Sequence, residues 1–428
     1  MPFYIKLIRW YYLFLTFCAI LAPLNYSVWQ FAPSLILIWM SYLVFKGGCE
    51  KGLKVPIKRV AVNDSKGDMS KLFFAFTIGM IVFIPLYVKF YTGGNLATLA
   101  MGFYSNVGAD SNYQEYQRYF MENNLEQFSL QKLPYIIGYG LTKLLFYFFT
   151  FSYVGFSKKI SVGKIILLVI LFLLYSLVGM ARGTSFENFE LLILLLFATL
   201  VRRKVVFKKS FYSARQIFRI IIIIAIVGSA FVVSKALRSG GGSLDDLRGP
   251  TDTLVYDSSS IIMTIFPLVG KIVLSFSGYF TFGLYFTSEL FWRIWMDSVN
   301  GFFEMLFPFV APYVEGYSSY RLALTAEGVD CGACWDPDLA GFSFYLGVPL
   351  LFVVIYLLGV LSGKAYNKTL INNDVGNCLV LYLIVYEMIS LHVGNFLVVS
   401  SSNKIMLVMV IFIICFNLFY KYRIRKVL

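Results

Sequence analysis

Five arginines, Arg182, Arg238, Arg248, Arg293 and Arg321, stand in connections of a strongly apolar chain. A planar guanidinium grips a pair of phosphate oxygens bidentately, so several arginines converging at a bilayer surface would suit a diphosphate. The alternative is that each is solvated or pairs with a nearby acid such as Asp245 or Asp246. Arg182 is the best placed, because Gly179, Gly183, Thr184 and Ser185 surround it at the start of a helix, where backbone N–H groups favour anions. Carboxylates available beside these arginines are Glu187, Glu289, Glu304, Asp330, Asp336 and Asp338. Glu289, at the end of an apolar run, is a candidate base. Trp335-Asp336-Pro337-Asp338 sets an aromatic plane beside carboxylates, as a sugar platform does. The same four residues equally describe a turn that starts a helix before Gly341. His392 is the single histidine and has the titration range of a general acid or base; a histidine bonded to a neighbouring helix fits as well. Lys143 and Glu387 lie inside apolar stretches, where ionisable groups are costly and mark either function or a mutual pair.

Other chemistries find no support. There is no Walker-type loop and no Gly-rich strand-to-helix turn, and Gly240-Gly241-Gly242 lacks the Lys-Ser/Thr of a phosphate loop. Cys331-Gly332-Ala333-Cys334 has a motif spacing but no second pair of ligands nearby, so a zinc site is not expected and no cofactor is called for. A spacing of Arg, ten residues, then Gly occurs at Arg238–Gly249 and at Arg321–Gly332. The abundance of both residue types makes about one such match expected by chance.

The elements that must position these groups are membrane helices. Of the 428 residues 59% are hydrophobic, 18% aromatic and 14% charged, and the mean hydropathy is +0.74. A soluble domain carries about 25% charged residues. Stretches near the ~20 residues that span a bilayer occur at 10–25, 28–45, 72–90, 135–156, 162–180, 187–201, 217–235, 341–363, 378–397 and 404–420. The chain therefore reads as a single all-α integral membrane domain, 1–428, with about 10 to 12 transmembrane helices. The net charge of +14 is unevenly spread. Cytoplasmic termini place most of the 37 basic residues inside, in the 46–71, 158–164 and 202–219 loops and the C-terminal tail. Two connections then face out. The first, 91–134, carries an interfacial aromatic helix. The second, 235–340, contains the apolar run Ile261 to Trp295, which would re-enter the membrane, add a helical hairpin or lie flat. The expected site is one diphosphate-binding cavity closed by this loop and the Arg182 turn.

Three stretches carry a likeness to a known group. Ser277-Gly278-Tyr279-Phe280-Thr281-Phe282-Gly283-Leu284, then Trp335 followed by the Gly341 to Tyr366 helix with Gly347, Gly359 and Gly363, and Gly179-Met180-Ala181-Arg182-Gly183 together cover about a quarter of the chain. With the architecture, they resemble the O-antigen polymerase (Wzy) family of bacterial polysaccharide assembly. The resemblance implies a GT-C-like glycosyltransferase of the bacterial inner membrane with a large periplasmic loop. It would transfer a growing glycan from polyprenyl diphosphate to the non-reducing-end hydroxyl of a new lipid-linked repeat unit. Arg182, Arg238, Arg248, Arg293 and Arg321 would be diphosphate ligands, Tyr279 and Trp335 sugar or lipid contacts, and Glu289, Asp336 or His392 the base, with no metal. Partners would be lipid-linked oligosaccharide donor and acceptor, membrane lipid and a chain-length regulator protein, with no nucleic acid. An O-antigen ligase and a lipid-linked oligosaccharide flippase are the alternatives.

Overall fold

The computed structural model describes residues 1–57, 66–94, 111–125, 129–182, 186–209, 255–297, 326, 337–394 and 405–412. Every regular element among them is helical; the single β pairing is the bridge between Leu24 and Tyr256. The helices are α1 (Phe3–Leu21), α2 (Ala32–Leu53), α3 (Lys66–Thr92), α4 (Ser111–Glu122), α5 (Leu133–Thr150), α6 (Val162–Ala181), α7 (Phe186–Val205), α8 (Ile261–Ile265), α9 (Pro267–Phe280), α10 (Phe282–Asp297), α11 (Asp338–Leu346), α12 (Val348–Asn372) and α13 (Val375–Ser390). Five segments, Phe3–Leu21, Ala32–Leu53, Met69–Thr92, Val162–Ala181 and Val348–Asn372, are long and apolar enough to cross a membrane. Their exposed positions are apolar too, among them Trp10, Phe17, Phe74, Val82, Leu173 and Leu357. Apolar side chains both inside and outside are what a lipid-facing helix needs. The chain has the make-up of a multi-pass helical membrane protein.

Two compact units divide the chain. The first comprises Met1–Pro56, Tyr212–Asn367 and Leu383–Asn395. In α1 the residues Tyr4, Ile8, Tyr12, Leu15 and Ala19 recur at helical spacing and are buried. The α2–α12 crossing is made by glycines. A Cβ at Gly48 would strike the Tyr356 carbonyl, one at Gly52 the Val360 carbonyl, one at Gly359 the Phe45 carbonyl and one at Gly363 the Cys49 carbonyl. Glycine at every fourth residue on both partners thus lets the two backbones touch. Tyr4 locks the crossing, its hydroxyl lying 2.9 Å from Cys49 Sγ and 3.1 Å from Ser362 Oγ. On α2, Ser34 Oγ is 2.8 Å from Ser288 Oγ of α10, and the Trp292 indole N–H donates to the Gln30 carbonyl at 2.8 Å. Residues 255–257 run beside Pro23–Asn25, with the Asn25 N–H donating to the Val255 carbonyl and the Asp257 N–H to the Pro23 carbonyl.

The second unit comprises Ile57–Phe211, Lys368–Tyr382 and Phe396–Leu428. Here α3 packs against α4, α5 and α6, and α7 packs against α5 and α6. Its core is aromatic: Phe73, Phe149 and Tyr153 cluster, while Tyr147, Phe151 and Phe197 all turn their edges to Tyr382. Pro85 sits inside α3, which a membrane helix tolerates when neighbours satisfy the freed carbonyl. Lys132 closes α4 from beyond its end, its ammonium donating to the Asn124 and Leu125 carbonyls.

Several expectations shift. The first helix begins at Phe3, so Lys6 and Arg9 belong to it and are carried near its end. The run Ile261 to Trp295 forms three short helices, α8, α9 and α10, broken at Phe266 and Thr281. The expected 341–363 helix is two helices, because Gly347 adopts φ 75°, a left-handed value that interrupts the ladder. Its first part opens at Asp338 after Pro337, as the helix-starting reading of that turn requires. The 217–235 segment lies outside the described residues.

Candidate functional site

The charged centre of the second unit is built on three helices. At the end of α6, the Arg182 N–H closes the last turn onto the Gly179 and Val178 carbonyls, which fixes where its side chain leaves the helix. The Arg182 guanidinium donates to Glu187 Oε1, in the first turn of α7. A carboxylate there is favoured by the unpaired N–H groups of a helix start. One turn further along α7 stands Glu190, and Lys143 of α5 reaches it at 3.0 Å. The hydroxyls of Tyr147 and Tyr175 donate to the two oxygens of Glu190. Lys143 Nζ also lies 5.7 Å and 5.8 Å from the ring centres of Tyr139 and Tyr175, within cation–π range.

Tyrosines surround this core. Tyr139 stacks on Tyr87 at 4.3 Å and lies parallel to Tyr175 at 6.5 Å. Tyr87 in turn meets Tyr91 at 4.7 Å. Tyr87, Tyr116, Tyr139 and Tyr175 all lie within electrostatic reach of the Arg182 guanidinium, and so does Tyr91. Lys143, Glu187 and Glu190 are almost wholly buried, whereas Arg182 keeps 22% of its side chain exposed. Its Nε has no hydrogen-bond partner among the described residues. The centre thus holds two cations and two carboxylates, and Arg182 is its one member partly open to solvent.

The other expected site residues are placed as follows. Glu289 and Arg293 share α10 one turn apart, 3.9 Å from each other. Tyr26 also reaches Glu289, and burial first, then the adjacent carboxylate, raises its phenol above the ordinary range. His392 follows α13 in a turn and is fully buried. Its Nε2 lies 3.1 Å from the hydroxyl of Tyr11 on α1, so the histidine is bonded to a neighbouring helix. Tyr279 falls in α9, with its side chain outside the described set. Arg238, Arg248, Arg321, Trp335, Asp336 and the Cys331–Cys334 pair lie outside the described residues.

One pairing is corrected. Lys143 does not take Glu387 as its partner, because Glu190 sits beside it in the same unit, whereas Glu387 belongs to the first unit and faces Asp338. The sequence held a signal for the paired acids of α7 but none that ties either to Lys143. Glu187 and Glu190 are three residues apart and therefore on one face of α7, the second already inside an apolar helix. The tyrosines gave no such signal, since 30 are spread along the chain and only helix packing gathers these. Compared with protein-family models, with curated proteins and with solved structures, the chain finds no match in any of the three.

Proposed function

We propose that the chain is a membrane glycosyltransferase that polymerises oligosaccharide repeat units carried on polyprenyl diphosphate, at the outer face of a bacterial inner membrane. The observation that supports this reading is Arg182, a partly open guanidinium held at the end of an apolar helix and ringed by tyrosines. The guanidinium suits the diphosphate of a lipid-linked sugar, and aromatic rings with hydroxyls suit the sugar beside it. A fixed cation at that place is stabilising when diphosphate charge develops on bond breaking. In the reaction, the acceptor hydroxyl oxygen attacks the anomeric carbon of the growing glycan. The bond from that carbon to the diphosphate oxygen breaks, polyprenyl diphosphate leaves with the electron pair, and a base takes the hydroxyl proton.

Arg293, Arg238, Arg248 and Arg321 belong to the same reading as further diphosphate ligands, Tyr279 and Trp335 as sugar or lipid contacts, and a chain-length regulator as partner. Glu289, Asp336 and His392 are its candidate bases. Of these, Glu289 has Arg293 and Tyr26 to hold it. The direct test is the purified protein with a defined lipid-linked repeat unit. Glycans of two or more repeats, with release of polyprenyl diphosphate, are expected. In cells, deletion should leave single-repeat surface glycans; multi-repeat chains in the deletion strain would overturn the reading. Lipid-linked polymer stranded off its final acceptor would indicate a ligase, and loss of all externally facing glycan a flippase.

A further inference from the structure

Glu387 sits on α13, a helix of otherwise uncharged residues, with about nine-tenths of its side chain buried. Neither carboxyl oxygen has a hydrogen-bond partner by strict geometry among the described residues. The nearby hydroxyl, Tyr12 on α1, is committed to the Met388 carbonyl at 2.5 Å. The side chain that Glu387 does face is a second buried carboxyl, that of Asp338 in the first turn of α11. Backbone contacts hold the two segments together. The Leu339 N–H donates to the Leu391 carbonyl at 2.8 Å, and Gly283 of α10 packs so tightly on the His392 carbonyl that no side chain fits there.

This arrangement differs in kind from the other buried carboxylates. Glu190 has Lys143 and Glu187 has Arg182, each a cation in direct contact. Glu387 has a carboxyl group instead. Ionised carboxylates only accept hydrogen bonds, so two of them can bond to each other only when one carries a proton. Two bare charges side by side away from water repel, and a retained proton removes that cost. Asp338 stands at a helix start, where the negative charge is favoured. One proton is therefore shared between the two carboxyls.

We propose that Glu387 and Asp338 form a proton-binding site inside the first unit, with one exchangeable proton shared between the two carboxyls. The site is independent of the glycosyl-transfer reading. The titratable groups around it are Tyr12 from α1 and Asp338 from α11, with His392 and its partner Tyr11 a turn further on.

Dicyclohexylcarbodiimide, applied to the full chain in detergent, tests this directly. The reagent takes carboxyl groups that are protonated and out of water: the acid proton adds to one nitrogen, the carboxyl oxygen to the central carbon, and acyl shift leaves a stable N-acylurea. Peptide mass analysis should find the label on one member of the pair, Glu387 or Asp338, at neutral pH and lose it as the pH becomes alkaline. Glu387→Gln, isosteric with the neutral acid, should remove that label while leaving the melting temperature unchanged. Asp338→Asn removes the neighbouring negative charge, so labelling of Glu387 should disappear at a lower pH than in the parent; should that variant not fold, the pH profile of the parent decides alone. No label on either carboxyl in folded protein at every pH, or a label insensitive to pH, overturns the proposal. Protection by sodium ions at constant pH also overturns it, and would assign the pair to a metal cation.

Discussion

Lys143 of α5 and Glu190 of α7 meet at 3.0 Å with both side chains almost wholly withdrawn from solvent, and Tyr147 and Tyr175 supply the remaining donors to the carboxylate. Three helices of the second unit are thereby tied through one buried carboxylate.

Removing one partner should be far worse than removing both. Lys143→Met leaves Glu190 buried without its cation and should cost about 3–5 kcal/mol. The double variant Lys143→Met, Glu190→Gln should recover much of that loss, since the neutral amide carries no buried charge and its oxygen still accepts from the Tyr147 and Tyr175 hydroxyls. Thermal unfolding of the parent, the single variants Lys143→Met and Glu190→Gln, and the double variant in detergent gives the coupling; equal losses in Lys143→Met and the double variant would contradict a paired charge.

On the proposed reading Arg182 should matter to turnover, and its loss should also weaken folding because Glu187 is left buried without its cation. By analogy with the removal of one fixed donor from a transition-state site, Arg182→Ala should lower kcat by about 10²–10³. Arg182→Lys should retain part of the activity, because the charge remains while the bidentate grip is lost. Polymer yield per unit time from a defined lipid-linked repeat unit measures both.

Glu187 competes for the same guanidinium. Replacing it with Gln removes the resident negative charge, so inorganic pyrophosphate should bind more tightly, by roughly tenfold if about 1.4 kcal/mol of competition is relieved. Isothermal titration with the intact protein reads this. Weaker binding in Glu187→Gln would mean that the carboxylate orients Arg182 rather than competing for it.

Neighbouring glycines on α2 should behave in opposite ways. A Cβ at Gly47 meets nothing within 4 Å, whereas one at Gly48 collides with the backbone of α12 at Tyr356. Gly47→Ala should be neutral or stabilise by up to about 1 kcal/mol through helix propensity. Gly48→Ala should destabilise by about 1–3 kcal/mol, because a carbonyl cannot move aside as a flexible side chain can. Melting temperatures of the two variants check the contrast.

What could be read from the sequence follows what is local in it. Apolar length located α5 with the turn that continues it, α6 and α7 to within a few residues, because the cost of burying backbone in lipid falls on each helix separately; α2 runs eight residues past the expected end and α3 begins six residues before the expected start, both through polar residues. The break at Gly347 and the three pieces of Ile261 to Trp295 escaped it: composition stays apolar through both, and only backbone conformation changes. At the site, Arg182 was legible from its glycine-rich turn, and Lys143 from its cost in a helix. Its partner was not, because Glu190 and Glu387 are equally intramembrane acids as sequence, and distance along the chain does not choose between them. The tyrosine surround depends on α3, α4, α5 and α6 meeting, which no one of those helices specifies alone.

The glycine crossing of α2 and α12 has a mechanical side. Most helix pairs slide or tilt by letting interposed side chains change rotamer, a cushion that absorbs small motions. At Gly48, Gly52, Gly359 and Gly363 no such cushion exists, since carbonyls stand where side chains would be. The two helices must therefore move as one rigid lever, and a tilt imposed on either reaches the other undiminished.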